Sequence, residues 1–271
     1  MKTAILVIFL ILFSLKSFNQ NNLAVSELTI QKLHQKIKPT QTDSENISFN
    51  DSIAMIMEQT LNLPGAFVYP FDSLKFIGKI MSDDQKLRIF TWNLPFADAS
   101  NRYFGFIMYE ESNKNSTVYK LKDNSAGISN PEIAEIPYDS WYGCLIYDII
   151  DTKSEGDTWY TLLGYDPDNI FTSKKLIDIL WFREGQPAFG KPVFQLNKRL
   201  QSRILFEYSA RVQMTLTWHQ KLRMIVFDHL APSNPSYQGN FRYYGPDFSY
   251  DGLKFENGIW EIHEDIDVRG Q

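Results

Sequence analysis

From about Ala66 onward the chain is a succession of short runs rich in Tyr, Phe, Trp, Ile and Val, about 10–20 residues apart and separated by Asp, Asn, Gly and Pro. Such residues suit a pleated, half-buried surface, and the residues between them favour tight turns. Connections this short leave no room for the crossover helices that parallel strands need. The predicted fold is therefore mainly β: an antiparallel meander, built as a sandwich or as an irregular propeller-like array, behind a short helical N-terminal segment. Predicted strands include Phe76–Met81, Leu87–Trp92, Tyr103–Tyr109, Tyr142–Ile149, Thr158–Tyr165, Leu176–Phe182, Val212–Trp218, Leu222–Phe227 and Phe248–Phe255.

Two hairpins can be read closely. Asn257-Gly258 between Leu253–Glu256 and Ile259–Trp260 is the pair that type I′ turns prefer. Val212, Met214, Leu216 and Trp218 alternate with Gln213, Thr215 and Thr217, which predicts one buried face, whereas Met224-Ile225-Val226-Phe227 is apolar on both and belongs inside. The segments Ile80–Trp92, Ile149–Tyr160 and Glu207–Trp218 share a plan, a strand end followed by a Ser or Asp step and a strand carrying Trp. Their intervals of about 60–70 residues exceed a common propeller blade.

Three regions are expected: a signal peptide over residues 1–20, a helical segment over 21–66 and an antiparallel β domain over 67–271. Lys2 is followed by an unbroken apolar run, Ala4–Phe13, and then by a more polar stretch. About ten apolar residues fall short of the about 20 that a bilayer-spanning helix needs, and the pattern fits a cleavable leader. Within residues 21–66, Ile30, Leu33 and Ile37 keep helical spacing. A second helix is expected over Ser52–Asn62, capped by Asn50 or Asp51 and ended by Pro64-Gly65, with a polar break over residues 39–46.

Removal of Lys2 and Lys16 with the leader would move the net charge from −5 to −7. A mildly acidic chain without a basic stripe is a poor match for nucleic acid or for anionic membranes. Cys144 is the only cysteine, so no intramolecular disulfide can form, and its apolar neighbours predict a buried core thiol. An exported chain without disulfides points to a bacterial envelope, either the periplasm or the cell surface. No membrane span is expected once the leader is removed.

The strings Tyr69–Leu74, Ser82–Asn93, Leu163–Asn169, Ile225–Pro232 and Tyr244–Gly252 resemble a family of exported proteins of Bacteroidota for which no activity is known. The resemblance covers roughly residues 50–265. It implies envelope export and a β-rich fold, and it supplies no functional residues.

Motifs for catalysis are sparse. There is no Gly-x-Ser-x-Gly elbow, no phosphate-cradling glycine loop and no dinucleotide fingerprint. Asp166-Pro167-Asp168-Asn169 fails the calcium-loop template, with Phe171 and Ile177 where Gly and Glu belong, and reads as a turn. His34, His219, His229 and His263 lack zinc-ligand spacing. Asp228 and His229 are adjacent, and on a strand they would point to opposite faces. The acids Asp148 with Asp151, and Asp247 with Asp251, are pairs by number. In an unbent strand, however, Asp247 and Asp251 would stand about 13 Å apart. No catalytic residue, metal ligand or cofactor site is assigned.

The densest aromatic stretch, Phe241–Asp251, offers rings flanked by acids, either as cover for one end of the β core or as a surface for a sugar or a peptide. Its Tyr243, Tyr244, Asp247, Tyr250 and Asp251 are the candidate ligand-binding residues. The expected role is binding or structural, in the cell envelope, with a glycan or an envelope protein as partner. The alternative is a carboxylate-dependent hydrolase acting on glycans or peptides.

Overall fold

The computed structural model describes residues 21–110, 116–154, 156–196 and 199–268. The expected leader lies outside the described residues. Helix α1 (residues 21–34) and helix α2 (Asp43–Leu61) precede three antiparallel sheets. The first sheet runs β1 (Gly78–Met81), β2 (Leu87–Pro95), β3 (Asn101–Glu110) and β4 (Ser116–Lys122) in sequence order. The second contains β5 (Ile136–Pro137), β6 (Leu145–Ser154), β7 (Asp157–Asp166), β8 (Thr172–Arg183) and β9 (Gln186–Phe189), in the order β5-β9-β8-β7-β6. Strand β12 (Arg203–Ser209) also pairs with β8. The third sheet is formed by β10 (Phe194–Leu196), β11 (Arg199–Gln201), β13 (Leu216–His219), β14 (Met224–Pro232), β15 (Tyr244–Glu256) and β16 (Ile259–His263). Its order is β11-β10-β16-β15-β14-β13, and the β10–β16 pair alone is parallel.

Side-chain alternation stacks these elements as four layers. On the first sheet Phe90, Trp92, Phe106 and Met108 face the helices and meet Ile53, Met57 and Leu61. The intervening residues Leu87, Ile89, Ile107 and Leu121 face the second sheet and meet Tyr160, Leu162, Leu176 and Leu180. From the opposite face of that sheet Leu163, Ile177 and Ile179 meet Leu216, Ile225, Leu253 and Trp260 of the third. Two sheets are thus covered on both faces, which is why Leu176–Phe182 of β8 is apolar but for Asp178.

The Asn257-Gly258 turn carries positive φ at both residues, +50° and +85°, as a type I′ hairpin requires. Met224–Phe227 are all buried. The repeat-like segments differ in kind: two span the β1–β2 and β6–β7 hairpins, whereas the third runs from the second sheet to the third.

Several boundaries move, two of them for a reason local to the chain. Helix α2 starts nine residues before Ser52, because Thr42 caps it and exchanges hydrogen bonds with Glu45 in a capping box. Strand β13 begins at Leu216 rather than Val212. The chain turns at Ser209, whose carbonyl accepts the Val212 N–H, and Val212 is left exposed.

Candidate functional site

A cleft of about 760 Å³ lies between the second and third sheets. Three connections build it: the β7–β8 turn with Ile170 and Phe171, the β12–β13 segment with Ser209, Arg211 and Val212, and the β14–β15 segment from Ala231 to Asp247. Ile170, Phe171, Val212 and Tyr243 line it with exposed apolar surface, Tyr237 and Phe241 pack on its lining rings, and Phe248 follows Asp247 in the chain. Those seven are half of the fourteen large apolar side chains exposed among the described residues, a concentration expected of a contact surface rather than of scattered surface hydrophobes.

The rings form an ordered stack. The Arg242 guanidinium lies 4.5 Å from the Phe171 ring centre and 5.3 Å from that of Tyr243. Tyr237 stacks on Tyr243 at 4.1 Å, with the ring planes 18° apart. Phe241 packs against the buried ring of Tyr244, whose hydroxyl accepts the Gly239 N–H. Arg242 is therefore held between aromatic walls, and neither it nor Arg211 has a carboxylate or carbonyl partner for its guanidinium among the described residues. Asp247 is the only acid among the lining residues. Its Oδ1 accepts from the hydroxyl and the N–H of Ser249, which hold the carboxyl below its ordinary range.

Strand β15 bulges at Asp247–Ser249, where four of its steps, Pro246 to Tyr250, span two steps of β14. Phe248 sits at the bulge with φ +75° and its ring 93% exposed. An apolar ring fully in water on a left-handed backbone is doubly unfavourable for stability alone.

The structure thus brings Tyr243, Tyr244 and Asp247 to one cleft and places the other two candidates elsewhere. Tyr250 lines a smaller hollow with Phe248 and the C-terminal residues Asp265 to Val268. Asp251 is buried and accepts from Asp265 N–H, while its other oxygen lies 2.7 Å from His229 Nδ1. The bulge separates Asp247 from Asp251, so their even spacing does not make them a pair. Neither Phe171 nor Arg211 has a mark in the sequence that links it to the aromatic stretch, because the β7–β8 turn and the segment after β12 supply them.

The remaining candidates are occupied by structural work. Asp168 binds Lys174, and Asn169 accepts from Phe171 and Thr172 N–H, so Asp166–Asn169 is a hydrogen-bonded turn. Asp151 accepts from Asp83 and Asp84 N–H and anchors the β1–β2 turn, and burial raises its pKa. Asp228 is buried on Thr215 N–H, while its neighbour His229 faces the other way. Burial and nearby carboxylates push the Cys144 thiol well above its ordinary value. No group of three His, Cys, Asp or Glu able to hold a metal ion occurs among the described residues. No helix among them is long and apolar enough to cross a membrane. Comparison with known protein families, with curated proteins and with solved structures finds no match.

Proposed function

We propose that this is an exported carbohydrate-binding protein of a bacterial envelope, acting without catalysis through the cleft between its second and third sheets. The observation that carries this reading is the gathering of exposed rings, Phe171 and Tyr243 with Tyr237 stacked on the latter, at a cleft that also presents hydroxyls and guanidinium groups. Sugars offer apolar C–H faces and a rim of hydroxyls, so a surface mixing ring faces with polar tips matches them. Export rests on the basic, apolar and polar succession of residues 1–20 and on the single cysteine.

A hydrolase of glycosides needs two carboxyl groups across the scissile bond, and this cleft offers one, Asp247. His229 with Asp251 makes an oriented imidazole, but no serine or cysteine hydrogen-bonds to that ring among the described residues. Affinity electrophoresis and calorimetry against a panel of acidic and neutral polysaccharides provide the test. Binding is expected, with no release of reducing ends, and Phe171→Ala or Tyr243→Ala should weaken it about tenfold or more. Cleavage of any bound polysaccharide, or binding indifferent to both substitutions, would refute the reading.

A further inference from the structure

We infer that the ligand of this cleft is an acidic polysaccharide whose carboxylates are taken by Arg242 and Arg211, an assignment that rests on the carbohydrate-binding reading above. Three observations converge on it. First, the cleft carries two cations and one acid on a protein whose net charge is −5, so its local sign opposes that of the whole. Second, Arg242 is preorganised without being satisfied. Its guanidinium is fixed between Phe171 and Tyr243, and its N–H donors have no protein acceptor among the described residues. The buried arginines turn donors onto protein groups, Arg203 onto Asp178 and the Pro131 carbonyl and Arg88 onto the Phe67 and Tyr69 carbonyls, whereas the exposed Arg242 keeps its donor edge for solvent or a ligand. A planar fork held flat by rings and left open at its donor edge fits a carboxylate, which it can meet with two parallel hydrogen bonds. Third, the lone acid is turned aside, since Asp247 is engaged by Ser249 and does not quench either arginine.

The rim also distinguishes a polysaccharide from an acidic peptide. A peptide docking as an added strand needs a free ladder of backbone donors. Here Ala231 and Pro232 already pair with Gly245 and Tyr244, and Pro232 and Pro246 have no N–H to offer.

The test is calorimetry of the leaderless full chain with three probes: oligogalacturonate, dextran oligosaccharide of equal length, and poly-glutamate. Oligogalacturonate should bind, and added salt should weaken it. Arg242→Met keeps an apolar cover on Phe171 and should lower the affinity at least tenfold. Arg242→Lys keeps the charge without the planar fork and should fall between. The thermal midpoint of each variant should match that of the unaltered chain, which separates loss of a donor from loss of the fold. Equal affinity for dextran and oligogalacturonate, unmoved by Arg242→Met, would overturn the acidic assignment and leave the carbohydrate-binding reading standing. Binding of neither glycan would overturn both. Arginine-dependent binding of poly-glutamate in preference to oligogalacturonate would overturn the polysaccharide in favour of an acidic peptide.

Discussion

His229 and Asp251 come from neighbouring strands, 22 positions apart, and they show how one contact sets a titration. Asp251 is buried, and its hydrogen bond is the largest cause of the raised imidazole pKa, ahead of the opposing effect of burial. A base stabilised in its charged form contributes stability that is complete below its ordinary value of 6.5 and disappears as the pH climbs through the raised one. Solvent screens the half-exposed ring, so the contribution is small. Asp251→Asn should move the His229 midpoint down in an NMR titration and flatten the dependence of the thermal midpoint on pH above 6.5. An unmoved midpoint would mean that the contact does not form in solution. The Arg203–Asp178 pair is the opposite case: both side chains are buried, Nε lies 2.7 Å from Oδ2, and a second guanidinium nitrogen donates to Pro131 carbonyl. Burial still pushes the Asp178 carboxyl up, against the pull of the guanidinium. Asp178→Ala would strand a buried charge and should cost about 3–5 kcal/mol in urea unfolding. Pairing Asp178→Leu with Arg203→Met should recover most of that loss, and failure to recover it would show that the ion pair is not its cause.

At the scale of single strands, close packing sets the tolerances. Gly164 of β7 lies so near its neighbours that a Cβ there would meet Cys144 Sγ at 2.8 Å and Leu176 Cγ at 2.9 Å, both within the core between the first two sheets. Gly164→Ala should therefore cost about 1–3 kcal/mol in the unfolding free energy. Adding Cys144→Ala should return part of it, since the Leu176 contact persists. A Gly164→Ala variant as stable as the original chain would show that the two sheets can move apart without penalty. Long strands with two apolar faces, such as β8 and the Met224–Phe227 part of β14, were legible in the sequence because burial on both sides leaves a run of one character. Short strands were not: β5, β9, β10 and β11 have two to four residues each and carry Pro, Gln or Arg, so neither period nor composition marks them. Val212 shows the complementary error. Its alternation with Met214 and Leu216 is real, yet the turn closed on the Ser209 carbonyl takes it out of the sheet and onto the cleft. For the same reason the site was half visible. The aromatic density of residues 241–251 marked one wall, while Phe171 and Arg211 reach it from connections that only tertiary packing sets opposite.

Across the whole molecule the four layers depend on one another. The change in texture near residue 66 separates helix from strand, but the core crosses it: Met57 and Leu61 share a cluster with Phe90 and Trp92. The indole N–H of Trp92 donates to Asn50 Oδ1 at 2.8 Å, and both residues are buried. Arg88, on the same sheet, donates to the carbonyls of Phe67 and Tyr69 and so fastens the linking segment, while burial lowers its pKa to about 10. Without α1 and α2, the first sheet would present Phe90, Trp92, Phe106 and Met108 to water, a contiguous face that a soluble monomer rarely exposes. A chain lacking residues 21–61 should accordingly bind a hydrophobic dye, aggregate on concentration and lose its single sharp thermal transition. Asn50→Ala is the milder probe. It removes the acceptor of a buried indole N–H and should cost about 1–3 kcal/mol while leaving the far cleft, and any ligand affinity there, unchanged. If the truncated chain instead unfolds sharply at an unaltered temperature, the helices are an appendage and the stack has three layers that stand without them.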